Sequence, residues 1–205
     1  LHVVRSPHHH ARLRSIQIEA AETLPGVVAI LTAEDIPGEN GLGDYSGREP
    51  ILTPLGDTLK MAGAPIALVA AESEQTARQA ALAVELDLQV LPHSFEMDHL
   101  HPENTEPIYD TGNILTAEEV QWGDLPAALE ESSVLLETRY RTSWQEHAAL
   151  ESEILLGFYD RAGRLTVIGG THQPHWTRGY IAASLDLAED QVRVIMPPTG
   201  GSFGG

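Results

Sequence analysis

A chain of 205 residues, 42% hydrophobic and 20% charged, is long enough for one large domain or two small ones with a proper core. Its formal net charge of −18 excludes nucleic acid and anionic membrane as general partners, because both are held by basic patches. The absence of cysteine excludes disulfides, cysteine-ligated zinc and iron–sulfur clusters held by these residues.

No apolar run approaches the roughly 20 residues of a membrane helix, and no secretory leader pattern is visible, so a cytoplasmic protein is expected. The first residue is Leu1 rather than methionine, and both ends fall inside patterned segments. A piece of a longer polypeptide is the expectation.

Leu1 to Arg5 reads as a short strand ended by Ser6-Pro7. His8, His9 and His10 follow. Neighbours in an extended segment point to opposite faces, so the three do not easily share one ion. Leu13, Ile16 and Ile18 suggest a strand, Ala20 to Leu24 a helical turn stopped by Pro25-Gly26, and Val27 to Leu31 a buried strand. Thr32 is placed to cap the turn Ala33-Glu34-Asp35. Pro37 to Pro54, rich in glycine, proline and polar residues, is a loop. Leu59 to Met61 and Ile66 to Ala71 read as strands. Ser73 is the N-cap of a helix from Glu74 to about Ala83, with Thr76, Ala77, Ala80 and Ala81 on its packed side. Val84, Leu86, Leu88 and Val90 alternate with Glu85, Asp87 and Gln89 as a half-exposed strand, closing an α/β unit near Leu91.

Pro92 to Asn113 lacks periodicity and reads as a connection. His99 and His101 beside Glu103 have ligand chemistry, but surface histidines are the simpler reading. Ile114 to Val120 is expected as a strand and Leu125 to Glu131 as a short helix. Val134 to Arg141 is expected as a long strand with one charged face. The stretch WQEHAALES then crowds Gln145, Glu146, His147 and Glu151. A carboxylate beside a histidine can act as an acid/base pair; a polar turn whose groups bond one another is the simpler reading. Ile154 to Tyr159 is the next strand and Asp160 to Gly163 a turn.

Arg164 to Gly205 organises the rest. Leu165, Val167 and Gly169 alternate as a strand, and Gly169-Gly170 turns into Thr171-His172-Gln173. Pro174 suits the first turn of a helix running through Tyr180, Ile181, Ala182 and Leu185. Asp186 to Asp190 break that helix, and Val192, Val194 and Met196 alternate as a second strand. A crossover of this kind makes the two strands parallel. Their carboxyl ends then share one edge, so Thr171-His172-Gln173 and GGSFGG become neighbours at one rim. Ligands of open α/β sheets bind outside such ends. Glycines admit close backbone approach, successive N–H groups form an anion-binding nest, and the helix beginning at Pro174 adds its positive end. An anionic or oxo-bearing cofactor is expected there, held by local donors rather than by a cationic field.

Four stretches in order resemble a known family: LHVVRSPHHHARLRSIQ with LPGVVAILTAEDIPG; APIALVAAESEQTARQAALAVELDLQVLP; WQEHAALES; and GGTHQPHWTRGYIAASLDLAEDQVRVIMPPTGGSFGG. The family is the molybdenum-cofactor-binding large subunit of the xanthine dehydrogenase and aldehyde oxidase group, the molybdenum hydroxylases. The resemblance implies an α+β (mixed α/β) fold, with an α/β hammerhead domain over residues 1–105. The first part of a molybdopterin-binding α/β domain would then occupy 106–205. It further implies a molybdenum pterin cofactor, with a cytosine dinucleotide as one form, and no iron–sulfur or FAD group in this chain. Gln173 would donate its amide toward an oxo ligand of molybdenum, and Gly201, Ser202, Phe203 and Gly204 would form the loop presenting backbone N–H groups to the same centre. Gln173 and Phe203 would thus face the metal without ligating it.

The implied activity hydroxylates the carbon of an N-heterocycle or aldehyde with water-derived oxygen. Implied partners are the remainder of the large subunit and iron–sulfur and FAD subunits or domains, in an oligomeric intact enzyme. Ser202 stands where the family's common loop has a third glycine, as in some bacterial purine-oxidising members, and Ala64 stands where the family often has aspartate. The acidic residue following the loop and the distal catalytic glutamate would lie beyond Gly205. No catalytic residue is therefore expected here, and the chain alone is expected to be inactive. The alternative is a non-catalytic binding or assembly module derived from the same fold. A nucleotide site on the glycine loop is disfavoured, because no GxGxxG or Walker pattern occurs.

Overall fold

The computed structural model describes residues 1–42, 49–95, 107–109, 112–114 and 116–203. In chain order the elements are β1 (His2–Arg5), β2 (Ala11–Gln17), α1 (Glu19–Glu22), β3 (Val27–Leu31), β4 (Thr58–Leu59), β5 (Pro65–Ala71), α2 (Glu74–Ala83) and β6 (Glu85–Val90). α3 (Leu125–Glu131), β7 (Leu155–Tyr159), β8 (Leu165–Gly169), α4 (Pro174–Ser184) and β9 (Val192–Ile195) follow. Short 3-10 turns occupy Ala33–Asp35 and Glu189–Gln191. No described helix is long and apolar enough to cross a membrane.

The N-terminal elements form two three-stranded antiparallel sheets, ordered β1-β5-β3 and β4-β2-β6. Helix α2 lies on the first sheet because its inward positions are alanines. Ala77 and Ala80 are fully buried, and so small a helix face lets the backbone approach β5 and β1 closely. The helix starts where expected, with the Ser73 hydroxyl accepting the Thr76 N–H at 3.0 Å. Its core unites Val4, Ala21, Ile30, Ala67, Val69 and Val84 with those alanines. A second cluster, Ala11, Leu13, Leu59, Ala64 and Ile66, fills the other sheet. Ile16 and Leu86 pack against both, so the two sheets share one hydrophobic continuum. Alternation along β6 holds at its start, where Leu86 and Leu88 are half-buried while Glu85, Asp87 and Gln89 face water, but Val90, expected on the apolar face, is 55% exposed at the strand's end.

The consecutive histidines do separate jobs. His8 N–H donates to the Ser6 hydroxyl at 3.1 Å, and the His9 ring meets Phe95 edge-on with centroids 4.8 Å apart. His10 Nδ1 lies 2.6 Å from the Pro92 carbonyl, which can only accept, so the ring proton sits on Nδ1. Among the described residues no group of histidines and carboxylates could hold a metal ion. His99, His101 and Glu103 lie outside the described residues.

The C-terminal elements form a third sheet, ordered β7-β8-β9. β7 and β8 are an antiparallel hairpin, from Leu155 opposite Gly169 to Tyr159 opposite Leu165. β8 and β9 are parallel, from Leu165 beside Val192 to Ile168 beside Ile195, with α4 as the crossover. Two expected strands are absent among the described residues. The described parts of 114–120, and all of Val134 to Arg141, have no strand pairing, and Val134 and Leu136 are 72% and 87% exposed. Alternation makes a segment suited to a pleated surface, but a ladder needs a neighbour to take its backbone groups.

The two parts touch at the end of α4. Asp186, at φ 52, follows the helix in the left-handed region; Leu187 N–H reaches the Ala182 carbonyl at 2.9 Å and Asp186 N–H the Ala183 carbonyl at 3.4 Å. That is a Schellman termination. Two more donors come from the loop after β3: Gly38 N–H bonds the Ser184 carbonyl at 3.1 Å and Glu39 N–H the Ala183 carbonyl at 2.9 Å. A Cβ on Gly38 would lie 1.9 Å from the Ala183 oxygen, so only glycine permits this approach. Gly38→Ala is therefore expected to break both bonds and to cost about 1–2 kcal/mol, given the net worth of such bonds. Denaturant unfolding reads the loss, and faster amide exchange at Glu39 localises it.

Candidate functional site

The sheet β7-β8-β9 defines a rim where the chain leaves β8 and β9 and enters β7. The hairpin register matters here. Because Leu155 pairs with Gly169, residues just before β7 lie beside residues just after β8. Parallel pairing brings the exit from β9 to the same edge. Three segments remote in sequence therefore meet: Glu151 and its neighbours, Gly170 to Gln173, and Thr199 to Phe203.

Side chains join them. His172 Nδ1 and Ser202 Oγ are 3.3 Å apart, linking the immediate neighbours of Gln173 and Phe203. The Glu151 carboxylate accepts the Gly200 N–H. A Cβ on Gly200 would meet Glu151 Oε2 at 2.9 Å, and one on Gly170 would meet Oε1 at 3.0 Å. The carboxylate is thus wedged between the backbones of two loops, and glycine at both positions makes room for it.

Local bonds set the approach to Gln173. The Thr171 hydroxyl accepts the Gln173 N–H at 3.2 Å and shares a 2.9 Å hydrogen bond with the Thr177 hydroxyl. Thr177 N–H then reaches the Gln173 carbonyl at 2.9 Å, the first bond of α4, with Pro174 in its first turn. The Gln173 side chain does not cap the helix, and no described residue bonds its amide. It remains available for something else. On the other loop Gly201 has φ 155, and the Phe203 ring folds back until a Cβ on Gly201 would sit 2.6 Å from it. Gly204 lies outside the described residues.

The stretch WQEHAALES divides. Glu146 Oε1 lies 3.5 Å from the Ala148 nitrogen, and Ala148 at φ 51 bends the chain in the left-handed region, so this part is a polar turn. Glu151 leaves the turn and reaches Gly200, 49 positions away. Grouping it with the turn missed that reach. The signal was the hairpin: a tight turn at Asp160–Gly163 fixes which residues stand beside Gly170.

That turn is held by one carboxylate. Asp160 Oδ1 accepts the Arg164 N–H at 3.0 Å and the Ala162 N–H at 2.8 Å, while the Arg164 guanidinium meets Oδ2 at 3.2 Å. The Arg164 backbone bond above all, then the Ala162 bond and the guanidinium, hold its carboxyl below the ordinary range against an opposing desolvation.

Two family models match the chain. Residues 1–92 match the aldehyde oxidase and xanthine dehydrogenase a/b hammerhead domain, and residues 106–205 the molybdopterin cofactor-binding domain. The chain belongs to the molybdenum-binding large subunits of the xanthine dehydrogenase and aldehyde oxidase family.

Similarity to other members of this xanthine dehydrogenase and aldehyde oxidase family runs the length of the chain. It is 34% identical over 203 residues to the nicotinate dehydrogenase large molybdopterin subunit of Eubacterium barkeri, covering 99% of this chain and 47% of that protein. It is 31% identical over 212 residues to the xanthine dehydrogenase molybdenum-binding subunit of Escherichia coli, covering 98% of this chain and 28% of that protein. The aldehyde oxidoreductase of Desulfovibrio gigas superposes with a TM-score of 0.88 at 27% identity, covering 99% of this chain and 23% of that one. The chain therefore spans less than half the length of these relatives. The mixed helix-and-sheet architecture is that of the hammerhead followed by molybdopterin-binding fold.

Because a depressed folded-state pKa stabilises above the unfolded pKa, the contribution of Asp160 is present at neutral pH and is lost as pH falls through the folded value. Asp160→Ala is expected to be less stable than the parent at pH 7, with the gap closing in acid below the usual carboxylate range. Unfolding midpoints measured across that range check this.

Proposed function

We propose that this chain supplies the hammerhead domain, residues 1–105, and the leading part of the cofactor-binding domain, residues 106–205, of a molybdenum hydroxylase large subunit. The meeting of the Gln173 and Phe203 loops through His172 and Ser202 is the observation that carries this reading. The donor set fits a molybdenum pterin. Its metal is held by the pterin's own dithiolene, so the protein needs to offer hydrogen-bond donors and a shaped wall, not ligands. An uncommitted glutamine amide and a glycine loop supply those, in a chain without cysteine.

The chemistry such a cofactor would supply is transfer of a water-derived oxygen to an electron-poor carbon, with uptake of the two electrons released. The chain's own residues do the rest. Gln173, whose backbone N–H is held by the Thr171 hydroxyl, would offer its side-chain amide to the cofactor as a hydrogen-bond donor. Gly201, Ser202 and Phe203, with Gly204 following, would present backbone N–H groups to it, with the Phe203 ring folded over Gly201 as part of the wall. No side chain among these residues is assigned the role of general base. An N-heterocycle or aldehyde is the proposed substrate class, the first supported by the name of the nicotinate dehydrogenase relative. Iron–sulfur and FAD subunits or domains are the proposed electron acceptors.

The test uses the full-length polypeptide with its partner subunits. Molybdenum and pterin are expected in the purified protein, and labelled water oxygen in the product of a nitrogen heterocycle or aldehyde. Absence of molybdenum under conditions that load a known hydroxylase would overturn the reading in favour of a non-catalytic module. Gln173→Ala is expected to retain molybdenum and lower turnover on the order of 10²-fold, the usual effect of deleting one preorganised donor.

A further inference from the structure

We propose that Glu151 is a positioning residue: its carboxylate, wedged between Gly170 and Gly200, fixes the spacing of the two loops that carry Gln173 and Phe203. The geometry is specific to this side chain. One oxygen accepts the Gly200 N–H. The other faces Gly170, where a Cβ would come within 3.0 Å, so both backbones approach one carboxylate. The only other described side-chain link across the rim is the longer His172–Ser202 contact at 3.3 Å.

The chain provides no substitute. Gly201 and Gly200 have no side chains to hold the loop, and glycine carries the largest conformational entropy to lose on ordering. A glycine-rich loop is useful at a rim because its N–H groups are unobstructed, and for the same reason it wanders unless something outside it pins it. Glu151 is pinned in turn by its place just before β7, which the β7–β8 hairpin registers against Gly169. A charged acceptor makes the stronger kind of hydrogen bond to a backbone N–H. Its reach also matters, because the carboxylate must span from the entry of β7 to the exit of β9.

The consequence for catalysis rests on the function proposed above, but the positioning itself can be read without any cofactor. In the full-length protein, cofactor-free and loaded, amide exchange of the segment 199–203 is the primary measurement. Glu151→Ala is expected to speed exchange there about tenfold, the scale of losing one charge-assisted bond, and to leave peptides from β2, β5 and α2 unchanged. Two conservative variants separate reach from charge. Glu151→Gln keeps the length and an acceptor oxygen but not the charge, and is expected to restore part of the protection. Glu151→Asp keeps the charge but is shorter by one methylene and is expected to behave like Glu151→Ala. Should Glu151→Ala fail to fold, the Gln and Asp pair still decides.

Unchanged exchange in both Glu151→Ala and Glu151→Asp overturns the proposal, as does protection that follows charge rather than length. In loaded enzyme, Glu151→Ala is expected to keep its molybdenum and KM, lose turnover about tenfold and show an altered Mo(V) resonance, with Glu151→Gln recovering toward the parent. A parent protein that carries no molybdenum defeats the functional reading and leaves the exchange result to decide the role of Glu151.

Discussion

Parallel pairing of β8 with β9 is the constraint from which the site follows. Two parallel strands cannot be joined by a tight turn, so the chain must cross over, and α4 is the crossover. Once that is so, both strands end at one edge and their following loops are neighbours whatever their sequences. The antiparallel β7 adds a third segment to the same edge, entering where β8 leaves. Backbone hydrogen-bond geometry, not side-chain attraction between loops, thus gathers Glu151, Gln173 and Phe203. The side-chain links at the rim then refine a proximity already imposed.

Helix α4 is fixed at both ends, and its two ends serve different purposes. Its start is set by Pro174 and the Thr171–Thr177 hydroxyl pair, which leaves the Gln173 amide uncommitted. Its finish is closed by the left-handed Asp186 and by donors from Gly38 and Glu39. Carbonyls at a helix end need partners. Here a loop of the N-terminal part provides two, so a defect at Gly38 bears on the far end of the element that presents Gln173.

How much of this was legible differs by residue. Ser73 followed by an alanine-spaced pattern named α2 and its buried face, because cap chemistry and 3.6-residue periodicity are local. The β8–α4–β9 unit was legible for the same reason, and its parallel pairing followed from connectivity alone. Val134 to Arg141 misled: its alternation is real, yet pairing depends on a neighbouring strand that the segment's own residues do not encode. Glu151 lay between these cases. Its residue type and position were plain, but its partner, Gly200, is 49 positions away and emerges only once the hairpin register is known. Asp186 in the left-handed region was readable only as a helix break, since which residue takes the strained conformation is settled by where the last turn closes.

The charge balance gives the rim its character. With a net charge of −18, the chain's long-range field repels an anionic group, and two of its eleven arginines are committed locally, Arg164 to Asp160 and Arg178 to Glu189. Such fields are screened beyond about 8–10 Å at physiological salt, whereas backbone N–H groups act at contact distance. On the function proposed above, recognition at this rim would therefore be short-range and preorganised. On charge alone Glu151 works against it, placing one more negative group beside the loop and occupying the Gly200 donor. That donor is spent on holding the loop's shape. On the function proposed above, the Gln173 amide, which no described residue bonds, is then left for a ligand, and a donor that need not reorganise is worth more to a developing charge than a mobile one.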